Sequence, residues 1–229
     1  MSNLHWRIPI LFPMPSAAIF DLDGTLLDTL EDLADSANEA LELGGFPTHP
    51  VDSYRTFVGD GMAVLIERIL PMNERTPGAI QLVMKAYRAA YDRRWKSKSC
   101  PYPGIGELLT DLRARGIPLA VLSNKPQAYT EIVMAHFLGH HRFELILGQR
   151  EEVPRKPHPA GAHEIALQLG LATSEIIFIG DTATDMDTAT AAGMVPVGVL
   201  WGFRPEAELL AHGARFLARE PHEIAGLFD

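Results

Sequence analysis

Asp21 and Asp23 stand one residue apart, and Gly24 and Thr25 follow at once. Further along come Ser123-Asn124-Lys125, then Arg155-Lys156-Pro157, then Gly180-Asp181-Thr182 with Asp185 soon after. Gathered at one place, these segments would supply several carboxylates, hydroxyls, a lysine and glycines. Carboxylates packed together repel and raise one another's pKa. A hard divalent cation relieves that repulsion, and an oxygen-rich site with few carboxylates suits magnesium. Such an ion also draws in phosphate oxygens. The chemistry these residue types allow is therefore metal-assisted work on a phosphate.

The elements around them say how they could meet. Ala17-Ala-Ile-Phe-Asp21 is a short apolar run that ends in acid and glycine, the pattern of a buried strand stopping at a polar loop. Similar runs recur at Leu119–Ser123, Glu144–Leu147, Ile176–Gly180 and Pro196–Val199. Between most of them lie helical stripes: Ile105, Leu108, Leu109 and Leu112 before Gly116, and Ala162, Ile165, Ala166 and Leu169 before Gly170. Strands alternating with helices imply right-handed crossovers and a parallel sheet covered on both faces. Ligands of such sheets bind beyond the carboxyl ends of the strands, where all four polar segments fall.

Residues 30–98 break the alternation and read as all helical. One stripe is Leu30, Leu33, Ala34, Ala37, Ala40 and Leu41; a second is Met62, Leu65, Ile66 and Ile69. The third is Ile80, Val83, Met84, Tyr87 and Tyr91, opened by the cap and first-turn pair Thr76-Pro77. The expectation is an α/β core of residues 1–30 and 99–229 with an α-helical cap domain at 31–98. Linkers are expected near Thr29–Glu31 and Ser97–Gly104.

The 229 residues suffice for one core plus such an insert. A net charge of -9 argues against nucleic acid or an anionic membrane as partner. Cys100 is the only cysteine, so no intrachain disulfide forms, which fits a cytoplasmic setting. The opening MSNLHWRIPILFPMPS is apolar but broken by Pro9, Pro13 and Pro15, and reads as an irregular lead-in rather than a membrane helix or a signal peptide.

Asp21-Leu-Asp-Gly-Thr-Leu-Leu-Asp-Thr29, Ser123-Asn124, Lys156-Pro157 and Gly180-Asp-Thr-Ala-Thr-Asp185 resemble, in order, the four motifs of the haloacid dehalogenase superfamily in its phosphatase branch. The resemblance implies a Rossmann-like three-layer sandwich with a small helical cap and a Mg2+-dependent phosphatase of a small phosphorylated metabolite. It implies that Asp21 is the nucleophile, forming an aspartyl-phosphate, and a metal ligand. Asp23 would be general acid then base, worth roughly 10²–10⁴-fold in rate, with its backbone carbonyl on the metal. Asp181 would be the second carboxylate ligand. Ser123, Asn124 and Lys156 would hold phosphate, while Thr25, Gly180 and Asp185 would support the site. Within that branch the chain is most similar to phosphoglycolate phosphatases, through Tyr54–Gly61, Ser123–Pro126, Gly180–Asp187, Ala191–Gly193 and Val197–Arg204. Arg55 is expected to face the site and read a substrate carboxylate, with Arg204 a second candidate.

Plainer readings stand beside these. Asp21 and Asp23 could be solvated turn acids, Lys156 a surface lysine, and Asp185 a helix N-terminal acid. Asp28 reads as a cap or hinge residue, and the nine histidines, which form no HxH pattern, read as loop or surface residues at His140, His141 and His158. Competing functions are a sugar-phosphate mutase using the same Asp21 and Asp23, a carbon–halogen hydrolase, which would not need Asp23, and a non-catalytic phosphate-binding module.

Overall fold

A computed structural model describes residues 14–229; most of the expected N-terminal lead-in lies outside the described residues. Strand β1 (Ala17–Phe20) has all four residues buried. A two-residue strand β2 (Leu27–Asp28) follows, and then the helices α1 (Leu30–Gly44), α2 (Tyr54–Phe57), α3 (Met62–Ile69) and α4 (Pro77–Arg94). The chain returns through β3 (Cys100–Pro101) into α5 (Ile105–Ala114), β4 (Leu119–Pro126), α6 (Gln127–Leu138) and β5 (Leu145–Gln149). It ends as α7 (Ala160–Leu169), β6 (Ile176–Gly180), α8 (Ala183–Ala192), β7 (Val195–Val199), α9 (Glu206–Ala211), β8 (Phe216–Ala218) and α10 (His222–Ala225).

Six strands form one sheet in the order β5-β4-β1-β6-β7-β8, with every pairing parallel. Alternate residues of β1 explain the layers. Ala18 and Phe20 pack with Leu108, Leu109 and Leu112 of α5 and Val133 of α6. Ala17 and Ile19 face the other way, onto Ala162, Ile165 and Ala189 of α7 and α8. Strands buried on both faces must be apolar throughout, as these runs are. The sheet thus extends one strand beyond the five expected. β4 also runs on to Pro126, carrying Ser123, Asn124 and Lys125 in extended backbone.

The stretch between β1 and β4 is helical, with its own apolar centre. Leu33, Ala37 and Leu41 of α1 meet Leu65 and Ile69 of α3 and Val83 and Tyr87 of α4, and Phe203 reaches in from the sheet side. Thr76 accepts a hydrogen bond from the Ala79 N–H at 3.2 Å and opens α4. A cap of this kind is worth about 1 kcal/mol. The two chain crossings into and out of this helical insert pair as an antiparallel ribbon, Leu27 opposite Pro101 and Asp28 opposite Cys100. Beside the ribbon, the buried Asp32 carboxylate accepts hydrogen bonds from the Lys98 N–H, the Ser99 N–H and the Ser99 hydroxyl at 2.7 to 3.1 Å. That carboxylate clasps the returning chain to the start of α1.

Candidate active site

β1 lies at the middle of the sheet, so its end meets the ends of both neighbours. The Asp21 N–H donates to the Ile179 carbonyl at 2.9 Å, extending the β1–β6 ladder by one residue. The chain then turns tightly. Gly24 takes φ +86°, its N–H donates to the Leu27 carbonyl at 2.8 Å, and the Leu22 carbonyl accepts from Leu26 and Leu27. A side chain at that φ would be strained, so the turn requires glycine. Asp21 is left buried, beside the end of β6.

Asp21, Asp181 and Asp185 each offer a carboxylate oxygen within 4.8 Å of the other two, and all three are buried. Each is held differently. Asp181 follows β6, and its two oxygens accept from the Thr25 hydroxyl at 3.0 Å and the Phe203 N–H at 2.8 Å. Asp185 sits in the first turn of α8 in a capping box: its Oδ2 accepts from the Thr182 N–H (3.0 Å) and hydroxyl (2.7 Å). Gly180 is needed because a Cβ there would strike Asp185. Between the acids stands Lys156, 3% exposed, its Nζ 2.9 Å from Asp21 Oδ1 and 2.6 Å from Asp185 Oδ1. The Asn124 side chain fixes the lysine's loop reciprocally, accepting from the Lys156 N–H at 2.9 Å and donating to its carbonyl at 3.1 Å.

Three buried acids against one ammonium leave a surplus of negative charge. Burial pushes the Asp21 carboxyl up to about 7; the Lys156 charge opposes this, and Asp185 and Asp23 add to it. Burial also drives Asp181 well above the carboxylate range, helped by Asp185 and Asp21. Lys156 is depressed by burial, but the charges of Asp185 and Asp21 outweigh that and raise it. Protons or a dication must neutralise such a cluster, and oxygen donors at this spacing fit a hard divalent ion.

The Asp23 carboxylate stays outside the cluster. It accepts from the Thr29 hydroxyl at 2.8 Å and from Lys125 Nζ at 2.7 and 2.6 Å. Ser123 and Asn124 lie beside it at the end of β4, both 5% exposed. Together they floor a cleft roofed by Leu33, Val58, Met62 and Leu65 of the insert. The structure therefore draws Asp21, Asp23, Thr25, Ser123, Asn124, Lys156, Gly180, Asp181 and Asp185 to one sheet edge.

It places the two arginines elsewhere. Arg55 Nε pairs with Asp52 at 2.9 Å, and its Nη1 donates to the Gly202 carbonyl at 3.0 Å. Arg204 donates to the Val58 and Thr56 carbonyls and pairs with Glu208. Both sit on the seam between insert and sheet and do not line the cleft, because nearer acceptors hold their guanidinium groups. Asp28 accepts from the Leu30 N–H at 3.2 Å in the hinge ribbon, in keeping with a cap or hinge role. Lys125 is the site neighbour that the choice of candidates missed. Its signal is adjacency, since it follows Ser123 and Asn124 in one polar run at the strand's end.

Residues 18–199 match the protein family described as haloacid dehalogenase-like hydrolase. The chain is 34% identical over 190 residues to a phosphoglycolate phosphatase of Haemophilus influenzae, spanning 80% of this chain and 85% of that one. It is 33% identical over 186 residues to a phosphoglycolate phosphatase of Pectobacterium atrosepticum, spanning 80% of each. Among solved structures, a haloacid dehalogenase-like family hydrolase from Streptococcus pneumoniae superposes with a TM-score of 0.84 at 26% identity, covering 94% of this chain and 99% of that one. A protein from Haemophilus somnus, whose phosphoglycolate phosphatase activity is itself a prediction, reaches 0.88 at 28% identity, covering 95% and 99%.

Proposed function

The chain belongs to the haloacid dehalogenase-like hydrolases and is a phosphoric monoester hydrolase, and we propose that it cleaves a small phosphorylated metabolite, phosphoglycolate or a close relative, through an aspartyl-phosphate on Asp21. One observation carries the reading. Asp21, Asp181 and Asp185 converge within 4.8 Å around the buried Lys156, and Asp23 lies two residues on at the cleft floor.

Mg2+ is the ion this reading requires. Asp21, Asp181 and the Asp23 backbone carbonyl would hold it, and Asp185 would join directly or through water. When bound, it supplies the positive charge that lets a phosphate dianion approach an acid cluster. The protein groups do the rest. Asp21 attacks phosphorus, so that an Oδ–P bond forms as the ester P–O bond breaks. Asp23 gives the leaving oxygen a proton and later takes one from water. That water attacks phosphorus and frees Asp21 and inorganic phosphate. Lys156 steadies Asp21 and the phosphate together, and the Ser123 hydroxyl and Asn124 backbone hold phosphate oxygens. Positioning and charge stabilisation carry most of the rate in phosphoryl transfer.

The insert acts as a cap in this reading, roofing the cleft with apolar side chains that exclude bulk water. A cytoplasmic setting belongs to the same reading. Cys100 is exposed and unpaired, and no helix among the described residues is long and apolar enough to cross a membrane. The net charge of -9 speaks against nucleic acid as partner.

The test is phosphate release from a panel of small phosphomonoesters, with Mg2+ and with chelator. Release should require the metal and vanish in Asp21→Asn, whose fold circular dichroism should find intact. Turnover surviving in Asp21→Asn refutes the nucleophile. A bisphosphate product in place of inorganic phosphate refutes hydrolysis.

A further inference from the structure

We propose that Lys125 selects the leaving group: its ammonium reads a carboxylate carried one carbon beyond the ester oxygen. The inference rests on the phosphatase reading and adds a residue and a charge rule to it.

Lys125 is the penultimate residue of β4 and is 7% exposed. Among the described residues that line the cleft, it carries the only cationic side chain. The remaining insert wall is apolar or glycine, from Leu33, Val58, Gly59, Gly61, Met62 and Leu65. A carboxylate brought against that wall with no cation beside it would bear an uncompensated desolvation cost. Three arginines of the seam and insert have acceptors of their own. Arg55 and Arg204 hold the seam, and Arg68 pairs with Asp60 at 2.6 Å and with the Phe57 carbonyl. Lys156 is held among Asp21 and Asp185, on the phosphate side.

Position follows from Asp23. The acid that protonates the leaving oxygen must touch it, and Lys125 Nζ lies 2.6 Å from that acid's Oδ2 and 2.7 Å from its Oδ1. A substituent one carbon beyond the leaving oxygen therefore comes within reach of the ammonium. An ammonium has three N–H donors. Those of Lys125 have the two Asp23 oxygens as their only hydrogen-bond acceptors among the described residues, which leaves one N–H for an incoming carboxylate. The Tyr91 ring, centred 5.2 Å away, stands against the ammonium from the insert side. Lys125 would then bridge two carboxylates, the acid and the substrate's own.

Three esters on the same two-carbon frame test the rule: phosphoglycolate (anionic), ethyl phosphate (neutral) and phosphoethanolamine (cationic), each with saturating Mg2+. Wild type should rank them in that order by kcat/KM. In Lys125→Met the ratio of phosphoglycolate to ethyl phosphate should fall by roughly 10- to 100-fold, the scale of a hydrogen bond to a charged group. Any disturbance of Asp23 slows both esters and cancels in that ratio. A variant that keeps the wild-type ratio overturns the inference. So does a wild type that cleaves ethyl phosphate as readily as phosphoglycolate, a result that stands even if the variant fails to fold. Failure of the underlying reading looks different: none of the three esters yields Mg2+-dependent phosphate, and the inference falls with it.

Discussion

The raised pKa of Asp21 makes a stability prediction that needs no substrate. In the metal-free fold its carboxyl titrates near 7, against 3.8 for the free side chain. A carboxyl whose folded pKa lies above its unfolded one favours folding while it is protonated. That contribution is complete below about pH 4 and is lost as pH rises through about 7. Between pH 5 and pH 7.5 the two-state expression for this one group gives a loss of roughly 2 to 3 kcal/mol. Asp21→Asn keeps the shape and abolishes the titration. Urea unfolding of both proteins in chelator, at several pH values from 5 to 7.5, reads the effect as the difference between the two curves, together with whatever relief the substitution gives Asp181. Wild type should lose roughly 2 to 3 kcal/mol more than the variant over that range. Mg2+ should restore most of that loss to wild type at pH 7.5, and much less to Asp21→Asn. Parallel curves in chelator would refute the claim that burial and crowding of acids raise Asp21.

Two further outcomes follow from contacts around the site. Gly202→Ala should cut kcat/KM by at least roughly 100-fold, the penalty for misplacing a reacting group by about an ångström. A Cβ at 202 would sit 2.5 Å from the Gly24 carbonyl oxygen and inside the Asp181 side chain, so Asp181 must move; steady-state kinetics against wild type at saturating Mg2+ checks this. Asp32→Ala should lower stability by about 2 to 4 kcal/mol in urea titrations, since it leaves the Lys98 and Ser99 donors of the hinge without their acceptor.

How far the sequence could be read depended on how local each signal was. Asp21 and Asp181 were legible because an apolar strand that ends abruptly in acid and glycine announces its own polar edge, and parallel pairing brings such edges together. The three helical stripes were legible for the same reason, since their spacing is contained within one turn or two. Lys125 stands in the polar segment Ser123-Asn124-Lys125 without a role of its own, since the apolar run ends near Ser123, whereas the strand continues to Pro126. Arg55 is expected at the cleft on local sequence alone. Its direction is settled by the Gly202 carbonyl, 147 residues away, which no local pattern reports. The buried role of Asp32 was hidden likewise, its partners lying 66 and 67 residues on. β8 is three residues long, too short to show a period.

Phe203 belongs to two structures at once. Its N–H grips one oxygen of Asp181, and its ring is embedded among the insert's apolar side chains. Swinging the helices outward must therefore bare an aromatic ring to water, at roughly 2 to 3 kcal/mol, or tug the amide off the carboxylate. The first alternative would favour return of the helices to the closed position. The second would loosen Asp181 as the helices moved, so that opening of the cleft and relaxation of the anionic cluster would come together.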